Sequence, residues 1–409
     1  MKLLKWSTKA LFSLCVLSVP LFVNAAAPQW ENWISTQVQH HPEIIAANNR
    51  LAAVQSIADA QEQVLYNPEF VSEVERVDGV KNYRIGIDQT IDWWDKKEAR
   101  IEQSRFIRQA AELNYQNLVM KRVADAMKAL VEWESAKKIA EMARKQKLQL
   151  DTLLSLVEKR RAAGDMGSID AELTFLSLSQ RLSVVAEAEA GLKKIESTVK
   201  ELLPDWSPVQ GGIPAAFWID YQPQEGDKWI ESHPAVASSK AEWKVLEQQA
   251  EVTQRDVKAD PTFGIKAGRD DNANAVGLSF SIPLNVRNNY DAETSAARQE
   301  ALEAEALFYA QYRRQKFTQQ AAVAAWKEFE KQHQNWREMM LDRIESSATL
   351  LERQWASGDL STTDYLMALD HRAEGLITGV SLHEQALVAQ IDARLQSGQI
   401  RIDSTVGNK

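Results

Sequence analysis

The sequence predicts a mixed α/β membrane protein, built from long helices and a few membrane-length strands in an internal two-fold repeat. Three observations predict it. Two runs, Asp95 to Ala163 and Leu284 to Ser357, contain neither glycine nor proline. Those residues break helices, so each run reads as one long helix. Two other stretches alternate apolar and polar residues, the period of a half-exposed strand. A turn motif also recurs at an offset of 194 residues: Ala162-Ala163-Gly164-Asp165-Met166-Gly167-Ser168-Ile169-Asp170 against Ala356-Ser357-Gly358-Asp359-Leu360-Ser361-Thr362-Thr363-Asp364.

Residues 1–25 read as a signal peptide. Lys2, Lys5 and Lys9 form a basic start, Ala10 to Val23 an apolar run broken by Pro20, and Val23-Asn24-Ala25 a small-residue cleavage site. The single cysteine, Cys15, falls inside this segment, so the mature chain is expected to carry no disulfide and no thiolate. Loss of the three lysines moves the net charge from −9 to about −12. An acidic exported chain is a poor nucleic-acid binder.

The first repeat is placed at residues 26–203. Residues 30–65 read as an amphipathic helix or helix pair, with His40-His41-Pro42 inside it. A β-hairpin follows at 68–92, with Phe70 and Val74 before an Asp78-Gly79 turn and Tyr83, Ile85, Ile87 and Ile91 on one face after it. Strands of ~10 residues are long enough to span a bilayer when tilted. In the long helix from Asp95, residues Ala110, Leu113, Met120, Ala124, Met127 and Val131 form a seam of coiled-coil spacing. Gly164 ends that helix, with Ser168 the expected N-cap of the next. The return helix is expected to pack through Leu173, Leu176, Leu182 and Leu192 to Leu203. Residues 204–228, rich in proline and glycine, read as a linker.

The second repeat, 229–398, restarts the pattern. Trp229-Ile230 through His233-Pro234 matches Trp33-Ile34 through His41-Pro42, and Asp260-Pro261 matches Asn67-Pro68. A second hairpin at 261–284 ends in the clearest alternation of the chain, with Val276, Leu278, Phe280, Ile282 and Leu284 on the expected lipid face. A second long helix, a tip at 358–364 with Ser361 or Thr362 as N-cap, and a return helix follow. Residues 399–409 form a polar tail.

Four strands cannot close a barrel, and an open sheet edge in lipid leaves backbone groups unpaired at several kcal/mol each. The barrel must be shared between chains, eight strands from two or twelve from three. The ordered landmarks resemble the TolC family of outer-membrane efflux proteins over Trp30 to about Leu395. The features that carry the resemblance are the repeated His-Pro, the Asn/Asp-Pro before each hairpin, the Phe280-Ser281-Ile282-Pro283-Leu284 strand end and the two tips. The resemblance implies a homotrimeric duct with a shared twelve-stranded β-barrel and a long periplasmic α-helical barrel. It further implies docking onto a periplasmic adaptor and an RND-type inner-membrane pump. Short loops and a short C-terminus are similar to the heavy-metal-resistance branch. On the same resemblance Gly164, Met166, Gly358 and Leu360 match the adaptor-docking turn. Asp364 matches the acidic ring of the periplasmic entrance, with Asp370 and Asp170 as further constriction candidates. Met367 stands where better-known members carry a second acid.

No phosphate loop, zinc-protease helix or nucleophile elbow is present, so no enzyme activity, cofactor or tight metal site is expected. His41 and His233 read as structural residues before helices, and His371 and His383 as solvated helix positions. Trp93-Trp94 fits an aromatic belt, while Trp133, Trp326 and Trp336 read as helix packing. The competing readings are a periplasmic coiled-coil scaffold and a duct for drugs or secreted proteins. An exported hydrolase has no site to support it.

Overall fold

The computed structural model describes residues 26–77, 80–164, 167–219, 221–224, 226–270 and 273–400. The targeting segment, the Asp78-Gly79 turn and Met166 lie outside the described residues.

The chain opens with α1 (Ala26–Gln39) and α2 (Pro42–Gln61). His41 is the N-cap of α2: its Nδ1 accepts the Glu43 N–H at 3.2 Å, and Pro42 occupies the first turn, where its missing N–H costs nothing. Strands β1 (Glu69–Val77) and β2 (Val80–Thr90) follow, then α3 (Lys96–Ala162) and α4 (Ser168–Leu202). A short α5 (Ala215–Ile219) lies in the connection between repeats. The second repeat supplies α6 (Pro234–Asp256), β3 (Thr262–Asp270), β4 (Ala273–Ser281), α7 (Asp291–Ser357) and α8 (Thr362–Gln396). Where α1 stands in the first repeat, the second has only the single turn Ile230–Ser232.

The duplication extends to detail. Helices α3 and α7 are each 67 residues, and α4 and α8 are each 35. At 1.5 Å per residue the long ones reach ~100 Å. Asp95 and Tyr290, just ahead of them, have φ +54° and +57° and are the only non-glycine residues with positive φ among those described. His233 caps α6 as His41 caps α2, accepting the Ala235 N–H at 3.2 Å. Each capping imidazole also reaches the return helix of its own repeat. His41 Nε2 is 3.3 Å from Glu201 Oε1, and His233 Nε2 is 3.1 Å from the Leu395 carbonyl.

Of the predicted seam of α3, Ala110, Met120, Ala124, Met127 and Val131 are all under a tenth exposed, while Leu113 is only half-buried. The predicted seam of α4 holds at Leu192 and Leu203 and is corrected nearer the tip. Leu176 and Leu182 are 61% and 48% exposed, and the buried positions are Ala171, Thr174, Val185, Leu192 and Val199. Ser168 is the first residue of α4 rather than its cap, which is Gly167 and donates no side chain. The connection at 204–228 is no loose linker. Trp206, Ile213, Phe217 and Tyr221 are buried, and Arg394 and Gln390 of α8 donate to the carbonyls of Phe217 and Trp218. Ile400, placed in the polar tail, is 6% exposed and belongs to the main core.

That core gathers α1, the middle of α3, the ends of α4 and α8 and the connection. Trp133 and Trp206 meet edge to face in it at 4.9 Å. A smaller cluster, Leu150, Leu153, Val157, Ala171, Trp355 and Leu366, joins the two helical hairpins near their tips. No helix among the described residues is long and apolar enough to cross a membrane.

Candidate functional site

The four strands form one antiparallel sheet in the order β1-β2-β3-β4, so the central ladder joins the two repeats. Side chains alternate across a strand, and the register stacks like on like. Phe70, Ile87, Ile265 and Leu278 form one row, and Ser72, Ile85, Ala267 and Val276 the next. Phe263 faces Phe280 with ring centroids 5.2 Å apart. Among the described residues nothing covers these side chains: Val276 and Leu278 are 79% and 84% exposed. The opposite face is polar. Its rows hold Glu69, Asp88, Gly264 and Ser279, then Glu73, Arg84, Gly268 and Ala275. Arg84 donates to Asp270 at 2.6 Å, and Ser279 Oγ lies 3.3 Å from Asp88. Glycine is required at Gly268, where a Cβ would strike the Tyr83 carbonyl of the neighbouring strand. The predicted lipid-facing row is shorter than expected. The ladder ends at Ser281, and Ile282 and Leu284 lie beyond it, although both remain exposed.

Where strands meet helices, Lys96 and Asp260 form a buried ion pair at 2.9 Å, with side chains 7% and 3% exposed. Asp260 also accepts from the Tyr66 hydroxyl at 2.6 Å and the Trp93 N–H at 3.2 Å. Burial alone raises a carboxyl's pKa, but the hydrogen bonds from Tyr66, Lys96 and Trp93 outweigh it and hold Asp260 below the ordinary value. Lys96 donates further to the carbonyls of Asp256 and Lys258. Trp93 and Trp94 stand exposed at this level, the Trp94 indole donating to the Ala259 carbonyl.

At the far end, Gly164 and Gly358 take φ +82° and +84°, the left-handed turn glycine supplies without strain. The Asp359 and Leu360 N–H groups both close on the Gln354 carbonyl. Leu360 is not the free apolar residue the sequence suggests, because it is half-buried against the tip cluster with Trp355 and Tyr365. The apolar residue that does project is Ile169, 75% exposed, which the sequence reading passed over.

Asp364 and Asp170 occupy the same position, third in the first turn of α8 and α4, where the helix dipole favours a carboxylate. Asp364 is exposed, and its carboxylate accepts from Ser361 Oγ at 2.7 Å while its N–H donates back at 3.1 Å. Ser361 is the N-cap of α8, and Asp364 holds that cap in place as well as carrying charge. Asp370 is different: it pairs with Arg181 of α4, tying the hairpins together and leaving less free charge.

His371 is exposed as expected. His383 is not a solvated position. It is half-buried, with its ring against that of His333 on α7.

Two long helical hairpins and one amphipathic four-stranded sheet per chain define a fold shared with outer-membrane channels. The chain is similar to the outer-membrane channel OprN, at 15% identity over 91% of this chain and 90% of that one, with a TM-score of 0.77. It is similar to CusC, a transmembrane channel former, at 13% identity over 91% and 92%, with a TM-score of 0.75. It is also similar to the Campylobacter jejuni CmeC outer membrane channel, at 12% identity over 92% and 86%, with a TM-score of 0.74. At these identities the likeness is one of fold. No family model and no curated protein sequence matches the chain.

Proposed function

We propose that this chain is the outer-membrane channel of a tripartite efflux system. Three copies share a twelve-stranded barrel, and the helical hairpins extend into the periplasm. There they dock onto an adaptor seated on an RND-type inner-membrane pump. The channel is passive, and heavy-metal cations are its favoured cargo.

The observation that carries this reading is the sheet. Among the described residues it has one apolar face that nothing covers, one polar face, and a free edge on both β1 and β4. Lipid against the first face, water against the second and a neighbouring chain on each edge satisfy all three conditions at once. A coiled-coil scaffold would leave that apolar face in water. Resemblance to the TolC family and the channel folds above support the same reading. The heavy-metal lean rests on the short hairpin loops.

The test is to purify the protein from outer membranes and record it in planar bilayers. A heat-resistant trimer with discrete conductance steps is expected. A monodisperse monomer soluble without detergent would end the proposal. Loss of tolerance to copper, zinc or cobalt in a deletion strain, with drug tolerance unchanged, would support the cargo assignment.

A further inference from the structure

His333 on α7 and His383 on α8 lie 25 residues on either side of Gly358, so the antiparallel hairpin brings them opposite each other. Their ring centroids are 4.6 Å apart, with planes at 38°. No hydrogen bond among the described residues reaches either ring. A cavity of about 350 Å³ opens beside His333, lined also by Glu330, Gln334, Arg337 and Glu338. The helices are held at this spacing one turn away, where the Trp336 indole lies directly against Gly379.

We propose that His333 and His383 form a low-affinity site for an imidazole-preferring divalent transition-metal ion, copper(II), nickel(II) or zinc(II), one per chain. Imidazole nitrogens bind such ions at ~2.0–2.1 Å, so two ring nitrogens at a right angle about one ion, the tetragonal arrangement of copper(II) and nickel(II), put the ring centroids roughly 4.5 Å apart. The observed separation meets that requirement. Burial lowers the pKa of both imidazoles, that of His383 to about 4, with Lys138 and Arg337 adding to the effect and Glu330 opposing it at His333. An imidazole in its neutral form has one ring-nitrogen lone pair to give, so two rings this close can serve one ion.

The same surroundings keep the affinity low. Lys138 and Arg337 repel a cation, and no third His, Cys, Asp or Glu joins the pair among the described residues. Water would complete the coordination and exchange readily. A channel needs such sites, weak enough for the cargo to leave. The site itself rests on the paired rings. Its use in transit rests on the channel reading above.

The test uses the full-length protein in detergent, titrated with copper(II), zinc(II) and magnesium(II) and followed by calorimetry and electron paramagnetic resonance. One copper(II) per chain with nitrogen hyperfine structure is expected, and no magnesium binding. His333→Gln and His383→Gln should each weaken copper binding at least ten-fold, while His371→Gln, at an exposed histidine, should not. As a check that needs no variant, zinc(II) should protect His333 and His383, but not His371, from diethylpyrocarbonate. Undiminished copper binding by both variants, or no protection of either ring, would overturn the site. Conductance of the wild type reports separately on the channel, so binding without conductance would keep the site and remove its role in transit.

Discussion

The buried pair at the strand–helix junction gives a prediction that can be worked from the geometry. Asp260→Asn keeps the shape of the side chain but removes its charge. Lys96 would then be a buried ammonium with no counter-ion. Removing one partner of a buried ion pair costs ~3–5 kcal/mol. Lys96 keeps the Asp256 and Lys258 carbonyls at 3.2 and 2.6 Å as acceptors, which puts the expected loss near the lower bound, about 3 kcal/mol, or roughly a hundred-fold in the folding equilibrium. Lys96→Met should cost less, because Asp260 retains Tyr66 and the Trp93 N–H. The assay is urea unfolding in detergent micelles for wild type, both single variants and the double variant. The double variant should be less destabilised than the two singles added together, since it leaves no orphaned charge. The pH dependence has a definite sign. Asp260 has a lowered pKa in the folded chain, so its contribution is complete above the unfolded value of ~3.9 and declines as pH falls below that. Additive single-variant effects, or an Asp260→Asn protein as stable as wild type, would refute the reasoning.

Four further outcomes are expected. Leu278→Arg, in the middle of the apolar row, should cost ~2–4 kcal/mol in membrane stability and reduce the trimer recovered from outer membranes, whereas Ser279→Arg on the polar face should not. Ile169→Glu should abolish export with trimer assembly intact, measured as metal sensitivity beside a heat-resistance gel. It is a cleaner probe of docking than Gly358, whose positive φ makes any other residue strain the turn. Asp364→Asn should change single-channel conductance and cation dependence more than Asp170→Asn. The asparagine keeps an acceptor for Ser361, so thermal melts should shift little, while a trimer loses three charges at a mouth comparable with the ~8 Å Debye length. Gly379→Ala should lower thermal stability by about 1–3 kcal/mol, because its methyl would enter the Trp336 ring.

The landmarks of the fold were legible because they rest on local chemistry. Helix-breaking glycines, His-Pro caps and two-residue alternation act within a few residues and located most elements closely; the start of α7, at Asp291, lies well beyond the Leu284 that opens its glycine-free run. What was missed depends on which helix lies alongside. A hydrophobic row on α4 drifts around the helix along its length, so Leu176 and Leu182 end on the outside while Val185 and Leu192 face inward. Leu360 looked free because the sequence does not place Trp355 and Tyr365 under it. The Lys96–Asp260 pair joins residues from different repeats and leaves no periodic trace. The His333–His383 contact was half readable: residues equidistant from a hairpin's tip share one level, but which side of each helix they take depends on how the two helices pack.

The central ladder of the sheet has a consequence for how the protein comes to be folded. Thr90 and Thr262, whose hydroxyls bond at 2.8 Å, are 172 residues apart, and the whole α3–α4 hairpin lies between them. Helices nucleate from neighbours in microseconds, whereas this ladder must wait for a distant segment and meet the loop-closure entropy of the chain between. Until β3 arrives, β1 and β2 can pair only with each other, with one face apolar and β2 unpaired along its far edge. Synthesis thus imposes an interval in which the apolar face of β1 and β2 exists before its partner strands β3 and β4. The yield of folded protein should be set by how well that interval is shielded rather than by the stability of the finished sheet.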